Sequence, residues 1–278
     1  MRITKIISFL FLVALTASCS SSDSGGSSTA STFVLNGANV ALTSSSAQRS
    51  ENSFAIIADA SDGSSIQILF NKFGNLEEFS YWDATDSYKN HEYYKSHYFT
   101  FNLISVNEST HKVKVSFSGT VYLDEWDLTS ATKEVSGTFD LPYITQTPTL
   151  TGLGLSCKIA GNDWYETDFW DNGFGNVDRK YINDDDKMII MRFTDEEIAA
   201  GTYAFTTSSN NKIQLGKYDI ATDTYTEYNT TGTLTITSNT IPVFGIRIIE
   251  GTYSFTATNP SNSSDVIQVT NGTFKTNF

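Results

Sequence analysis

His111-Lys112-Val113-Lys114-Val115-Ser116-Phe117-Ser118 alternates apolar and polar side chains with a period of two. That is the pattern of a strand with one face in a core and the other in water. Ile66/Ile68/Phe70, Leu234/Ile236 and Tyr253/Phe255/Ala257 repeat it, with Thr common at the intervening sites, where its branched Cβ suits a pleated surface. One stretch reads differently. In Thr194-Asp195-Glu196-Glu197-Ile198-Ala199-Ala200-Gly201, Thr194 can cap, Glu197 can return the bond and Gly201 can end a turn, which predicts one short helical turn near 194–200. The fold class is all-β and antiparallel. Sandwich and short barrel remain equally open.

The chain also repeats itself. Ala84-Thr85-Asp86-Ser87-Tyr88 returns as Ala221-Thr222-Asp223-Thr224-Tyr225, and Ser118-Gly119-Thr120 as Glu250-Gly251-Thr252. Ser136-Gly137-Thr138-Phe139 returns as Asn271-Gly272-Thr273-Phe274, and Val34-Leu35-Asn36-Gly37 matches Lys158-Ile159-Ala160-Gly161. Matches kept in order point to duplication. Pro142 to Gly154, rich in turn formers, separates the copies. The expected organisation is β-domain 1 over 33–143, a linker over 144–154 and β-domain 2 over 155–278.

The start reads as an address. Arg2 and Lys5 precede Ile6 to Leu15, an apolar run about half the length that spans a bilayer, and then come Thr16, Ala17, Ser18 and Cys19. Leu15-Thr16-Ala17-Ser18-Cys19 resembles a bacterial lipobox, and Ser20-Ser21-Ser22-Asp23-Ser24-Gly25-Gly26 resembles the start of Bacteroidota surface lipoproteins. The resemblance implies that residues 1–18 are a signal peptide, that Cys19 carries the lipid, and that the chain sits on the outer membrane facing outside. Residues 19–32 are then a Ser/Gly tether with a reach of about 20 Å. The glycine and aromatic strings of residues 155–278 further resemble small β-rich Bacteroidota lipoprotein domains of unassigned function, which implies fold and location but no reaction.

Composition narrows the function. Among 278 residues there are 18 Lys+Arg and 31 Asp+Glu, a net charge of −13, which argues against nucleic-acid partners because a polyanion is repelled. Once Cys19 is acylated, Cys157 has no disulfide partner. It lies in an apolar strand start, far in sequence from any histidine base, and reads as a buried small hydrophobe. His91 and His97 read as exposed sheet positions. Asp184, Asp185 and Asp186 form an acidic turn, with Asp163, Glu166, Asp168, Asp171 and Asp178 upstream. Hard oxygen donors at this density make calcium the candidate ion, although the spacing is not that of an EF-hand; no other cofactor is expected.

Aromatics are the candidate ligand surface. Tyr81, Trp82, Tyr88, Tyr93, Tyr94 and Tyr98 crowd one region of the first half, and Trp164, Tyr165, Phe169, Trp170 and Phe174 one region of the second. Flat rings beside carboxylates suit sugar rings and also protein contacts, whereas many strand aromatics are simply core. The residues singled out for a ligand are Trp164, Tyr165, Trp170, Trp82 and Tyr81. The expected function is a lipid-anchored, non-catalytic binding or adhesion module, with a glycan or an outer-membrane protein as partner. The alternatives are a structural accessory lipoprotein and a hydrolase built on a carboxylate pair. A glycan binder should leave Trp164 or Trp170 exposed.

Overall fold

Val113, Val115 and Phe117 are buried, as are Ile66, Ile68 and Phe70, so the period-two pattern is realised as strands with one dry face. The structure is a computed structural model that describes residues 31–171, 177–243 and 245–277. The first half runs β1 (Thr32–Leu35), β2 (Ala38–Val40), β3 (Leu42–Ser50), β4 (Ser53–Ala60), β5 (Ser65–Asn71), β6 (Leu76–Trp82), β7 (Ser87–Lys89), α1 (Lys95–Tyr98), β8 (Phe99–Asn107), β9 (Lys112–Tyr122) and β10 (Thr132–Gln146). The second runs β11 (Gly154–Ile159), β12 (Asn162–Tyr165), β13 (Asp168–Asp171), β14 (Val177–Ile182), β15 (Lys187–Phe193), β16 (Gly201–Thr206), β17 (Lys212–Asp219), β18 (Thr224–Glu227), β19 (Asn229–Val243), β20 (Ile246–Asn259) and β21 (Asn262–Asn277). The fold is all-β.

The second half pairs its strands as β12-β11-β21-β20-β19-β16 and β13-β14-β15-β17-β18. Without β16, this is the plan of the first half, whose β2-β1-β10-β9-β8 and β3-β4-β5-β6-β7 correspond strand for strand. The copies differ in closure. In the first half Val135–Thr138 of β10 pairs with β1, and Tyr143–Gln146 then pairs in parallel with β3. Lys89 pairs with Tyr122 to join β7 to β9, and the sheet closes as a barrel. The second half remains two sheets. Because β10 continues to Gln146, the connection between the halves spans 147–153, shorter than the expected linker. The main buried apolar residues fall into one cluster between Phe33 and Tyr143 and another between Leu155 and Phe274.

The repeated strings have physical causes. Asn36-Gly37 and Ala160-Gly161 are the two-residue turns of β1–β2 and β11–β12, all four residues with positive φ (49°, 80°, 50° and 85°), the turn whose twist matches the flanking strands. The two Ala-Thr-Asp strings turn β6 into β7 and β17 into β18, where Tyr81 pairs with Tyr88 and Tyr218 with Tyr225. Gly137 faces Phe117 and Gly272 faces Tyr253 across the sheet. A Cβ on Gly137 would come within 2.8 Å of the Phe117 ring, and one on Gly272 would meet the Tyr253 ring.

The expected helical turn at 194–200 does not form. Asp195, not Thr194, caps the bend by accepting from Glu197 N (2.8 Å), while the Thr194 hydroxyl turns to Asn211. Asn239 Nδ2 donates to the carbonyls of Glu196 and Ile198, and Tyr203 Oη to that of Ala199. Of these acceptors the Glu196 carbonyl is the one a helix over 194–200 would use, and a side chain of β19 takes it. The helix that does form, α1, lies elsewhere.

Gly137→Ala and Gly272→Ala should each destabilise the protein by about 1–3 kcal/mol, the cost of overpacking against a ring that cannot move aside. Urea unfolding monitored by circular dichroism checks this; an unchanged midpoint for both would show that the glycines do not make room for the rings.

Candidate functional site

The aromatic residues singled out for a ligand are placed otherwise. Tyr81 and Trp164 are each only 2% exposed, because the inward face of their strands puts them in the two cores; neither is a ligand platform. Trp82 is half-buried on β6. Tyr165 stacks on Phe73 of the β5–β6 turn, with ring centres 3.5 Å apart and planes within 5°. Trp170 is half-buried, edge-on to Tyr93 (5.4 Å) and 5.7 Å from Trp126, and its indole N–H donates to Glu92 Oε1 (3.2 Å). Phe73, Tyr93 and Trp126 belong to the first half. Tyr165 and Trp170 therefore join the halves.

The contact centres on residues 90–98, a strap between β7 and β8. The matching connection in the second half, between β18 and β19, is Tyr228 alone. Asn90 anchors the strap by donating its backbone N–H to Phe79 O and accepting from Phe79 N at 2.6 Å. Glu92 N donates to Glu125 O, and the buried Lys95 Nζ to Glu92 O. Tyr94 takes a left-handed conformation (φ 44°), a strain of about 1–2 kcal/mol for an L residue. Tyr93 meets Tyr218 (5.4 Å) and Tyr225 (5.2 Å), and Tyr94 meets Tyr218 (6.3 Å). His91, expected at an exposed sheet position, has a fully buried side chain, because it points into this contact rather than along a strand. His97 is exposed.

The acidic turn is also spent here. Asp184 accepts from Asn75 Nδ2 (2.9 Å) and Leu76 N (3.1 Å) through its carboxylate and from Ser96 N (2.8 Å) through its carbonyl. All three donors lie in the first half. Asp185 accepts from Trp164 Nε1 (3.2 Å) and Lys187 N (2.8 Å), and Asp186 pairs with Lys187. Burial pushes the carboxyl groups of Asp184 and Asp185 up, against the pull of those bonds. The calcium expectation thus meets three carboxylates already held by nitrogen donors, with Asp185 and Asp186 sharing Lys187 Nζ. Among the described residues no group of three or more such ligands is arranged around one point. Cys157 is buried, and burial pushes its thiol up to about 12. Cys19, Phe174 and the stretch 172–175 lie outside the described residues, as do the signal peptide and nearly all of the tether.

Two open grooves lie elsewhere. One, of about 440 Å³, is lined by Thr206, Thr231, Thr256 and Thr258 with Asn229 and Ser208. The other, of about 460 Å³, is lined by Thr100, Ser118 and Ser136 with His97, Tyr98 and Glu134. Threonine, serine and asparagine line the first, whereas the second adds the His97 ring and the Glu134 carboxylate to its hydroxyls; hydroxyl and amide groups donate and accept without carrying charge. The threonines and serines of both grooves read in the sequence as ordinary strand surface. Tyr93, Tyr94 and Tyr98 of the strap stand out in the sequence as aromatics but not as a junction, and a Phe at the tip of Asn71-Lys72-Phe73-Gly74-Asn75 is out of place in a solvated turn.

Asp184→Ala removes the acceptor of two first-half donors, and leaving buried donors unsatisfied costs about 1–3 kcal/mol; Asp184→Asn keeps one acceptor and should cost less. Because burial raises the folded-state value of Asp184, its contribution favours folding at low pH and is lost as pH rises through that value. The wild type should accordingly gain stability relative to Asp184→Asn between pH 7 and pH 4, which urea titrations at both pH values would read. No family model, curated protein or solved structure matches this chain.

Proposed function

We propose that the protein is a lipid-anchored, cell-surface binding module whose two halves work as one unit and present hydroxyl-bearing sheet faces to a neutral glycan. The reading rests on one observation. Thr202, Thr235, Thr252, Thr273 and Ser156 stand side by side on β16, β19, β20, β21 and β11. Neighbouring strands are about 4.8 Å apart, so five hydroxyls form one row across the outer face. Thr202 and Thr235 bond each other at 3.1 Å, as do Ser156 and Thr273. Thr206, Thr231 and Thr256 form a second row along the first groove. Thr100, Ser118 and Ser136 line up in the first half. A polyol finds donors and acceptors at regular spacing on such a surface, and the threonine methyls between them pack against C–H faces. The anchor at Cys19 and the outward address rest on the lipobox-like start.

A second reading, an accessory subunit held by an outer-membrane protein, is favoured by the loop after β9, where Leu123, Trp126 and Leu128 are 36–44% exposed.

Glycan-array binding of the mature chain, paired with pull-down from intact cells, separates the two. The glycan reading expects array signal that falls at least tenfold in Thr235→Val/Thr252→Val, a nearly isosteric pair that should leave the melting temperature within a few degrees. Signal indifferent to that pair, or absent while a membrane protein is captured, would overturn it. Mass analysis of the mature N-terminus should find a diacylglyceryl group on Cys19.

A further inference from the structure

His91 is the second residue of the strap that distinguishes the first half from the second. Its Nδ1 lies 2.7 Å from the carbonyl oxygen of Glu125, an acceptor only, so Nδ1 carries the proton and Nε2 keeps its lone pair. Nε2 is buried and has no hydrogen-bond partner. A carboxylate oxygen of the other half, Oδ1 of Asp223 on the β17–β18 turn, stands 3.9 Å from it. That oxygen already accepts from Tyr218 Oη at 2.7 Å.

Rings close the remaining sides. Tyr93 and Tyr98 of the strap, Tyr122 of β9 and Tyr218 of β17 lie with centres 4.9–6.4 Å from the imidazole, mostly edge-on. The charged groups around it are Glu92 and Lys95 on the strap and Asp223 across the junction. A neutral imidazole fits this cage. An imidazolium would bring a charge into it, with one half-exposed carboxylate too distant for a hydrogen bond.

We infer that His91 makes the contact between the halves acid-sensitive: taking up a proton at Nε2 loosens the strap from the second half and uncovers Tyr93, Trp170, Tyr218 and Tyr225. Undocked, the strap exposes His91 and its ordinary value near 6.5 applies. Docked, burial lowers that value by more than Asp223, Glu92 and the Glu125 carbonyl raise it. A group lowered in the docked state supports docking fully above its undocked value and ceases to do so as pH falls through the docked one. Between the two values the docking equilibrium weakens by up to about tenfold per pH unit. Asp184 and Asp185, raised by burial, act with the opposite sign as they take up protons, so removing the His91 titration isolates its share.

Small-angle X-ray scattering and tryptophan fluorescence of the whole mature chain, from pH 7.5 to pH 5, test this. The wild type should show a larger radius of gyration and altered Trp126 and Trp170 emission at pH 5, both restored at pH 7.5. His91→Asn keeps a donor for Glu125 O and cannot titrate, so it should not respond. Asp223→Asn lowers the docked value further and should loosen more at pH 5 than the wild type. An unchanged radius across the range, or an equal response in His91→Asn, would overturn the inference. If His91→Asn does not fold, the imidazole titration read by NMR in the wild type decides, since a value at or above 6.5 contradicts the device. None of these outcomes depends on whether a glycan binds.

Discussion

Met188-Ile189-Ile190-Met191 of β15 has no polar side chain to turn to water, and all four residues are buried. A strand with two apolar faces must be covered on both. Ile189 and Met191 face the main core of the second half, whereas Met188 and Ile190, with Ile182, form a separate cluster packed by Trp170 and Tyr225. Those two rings meet Tyr93 of the first half. The outer face of this sheet is the reason that the halves cannot be indifferent to each other.

Covering an apolar face brings polar groups out of water with it, and each must then find a partner. Asp184 answers Asn75 and Leu76, its backbone answers Ser96, and Glu92 answers the Trp170 indole. These bonds cross between the halves and fix register in a way that ring packing alone does not. The strongly acidic composition is partly explained here: Asp184 and Asp185 act as acceptors inside the molecule rather than as a solvated face. The cluster that looked like ion ligands in the sequence is an acceptor set for nitrogen donors.

The strands and the duplication were legible because both depend on short-range regularities. Alternation at Val113/Val115/Phe117 shows directly in the order of residues, and Gly137 and Gly272 recur because each lies under a ring. The aromatic candidates were not legible in the same way. Trp164 and Trp170 look alike in sequence, and only the register of β12 and β13 sends one into a core and the other to the junction. The helical turn at 194–200 is absent, and its Glu196 carbonyl is claimed by Asn239, a residue far along the chain. One local signal did exist for the junction: the run at Met188–Met191 breaks the alternation found elsewhere and marks a strand with no wet face.

The two copies share the order of their strands and differ in closure, in the length of the loop after β9 and in two further insertions. The first half gains the strap 90–98, and the second gains β16. Neither insertion repairs the fold, since the other copy manages without it. The strap turns a sheet face that would be exposed into an interface. β16 widens the opposite sheet by one strand and carries Thr202 into line with Thr235 and Thr252. The repeated strand order supplies two like scaffolds, and added chain brings new surfaces into being on each. In this protein the added chain makes one face that joins the halves and extends another that stays wet, so the surfaces with most freedom to acquire a role lie at the departures from the shared plan.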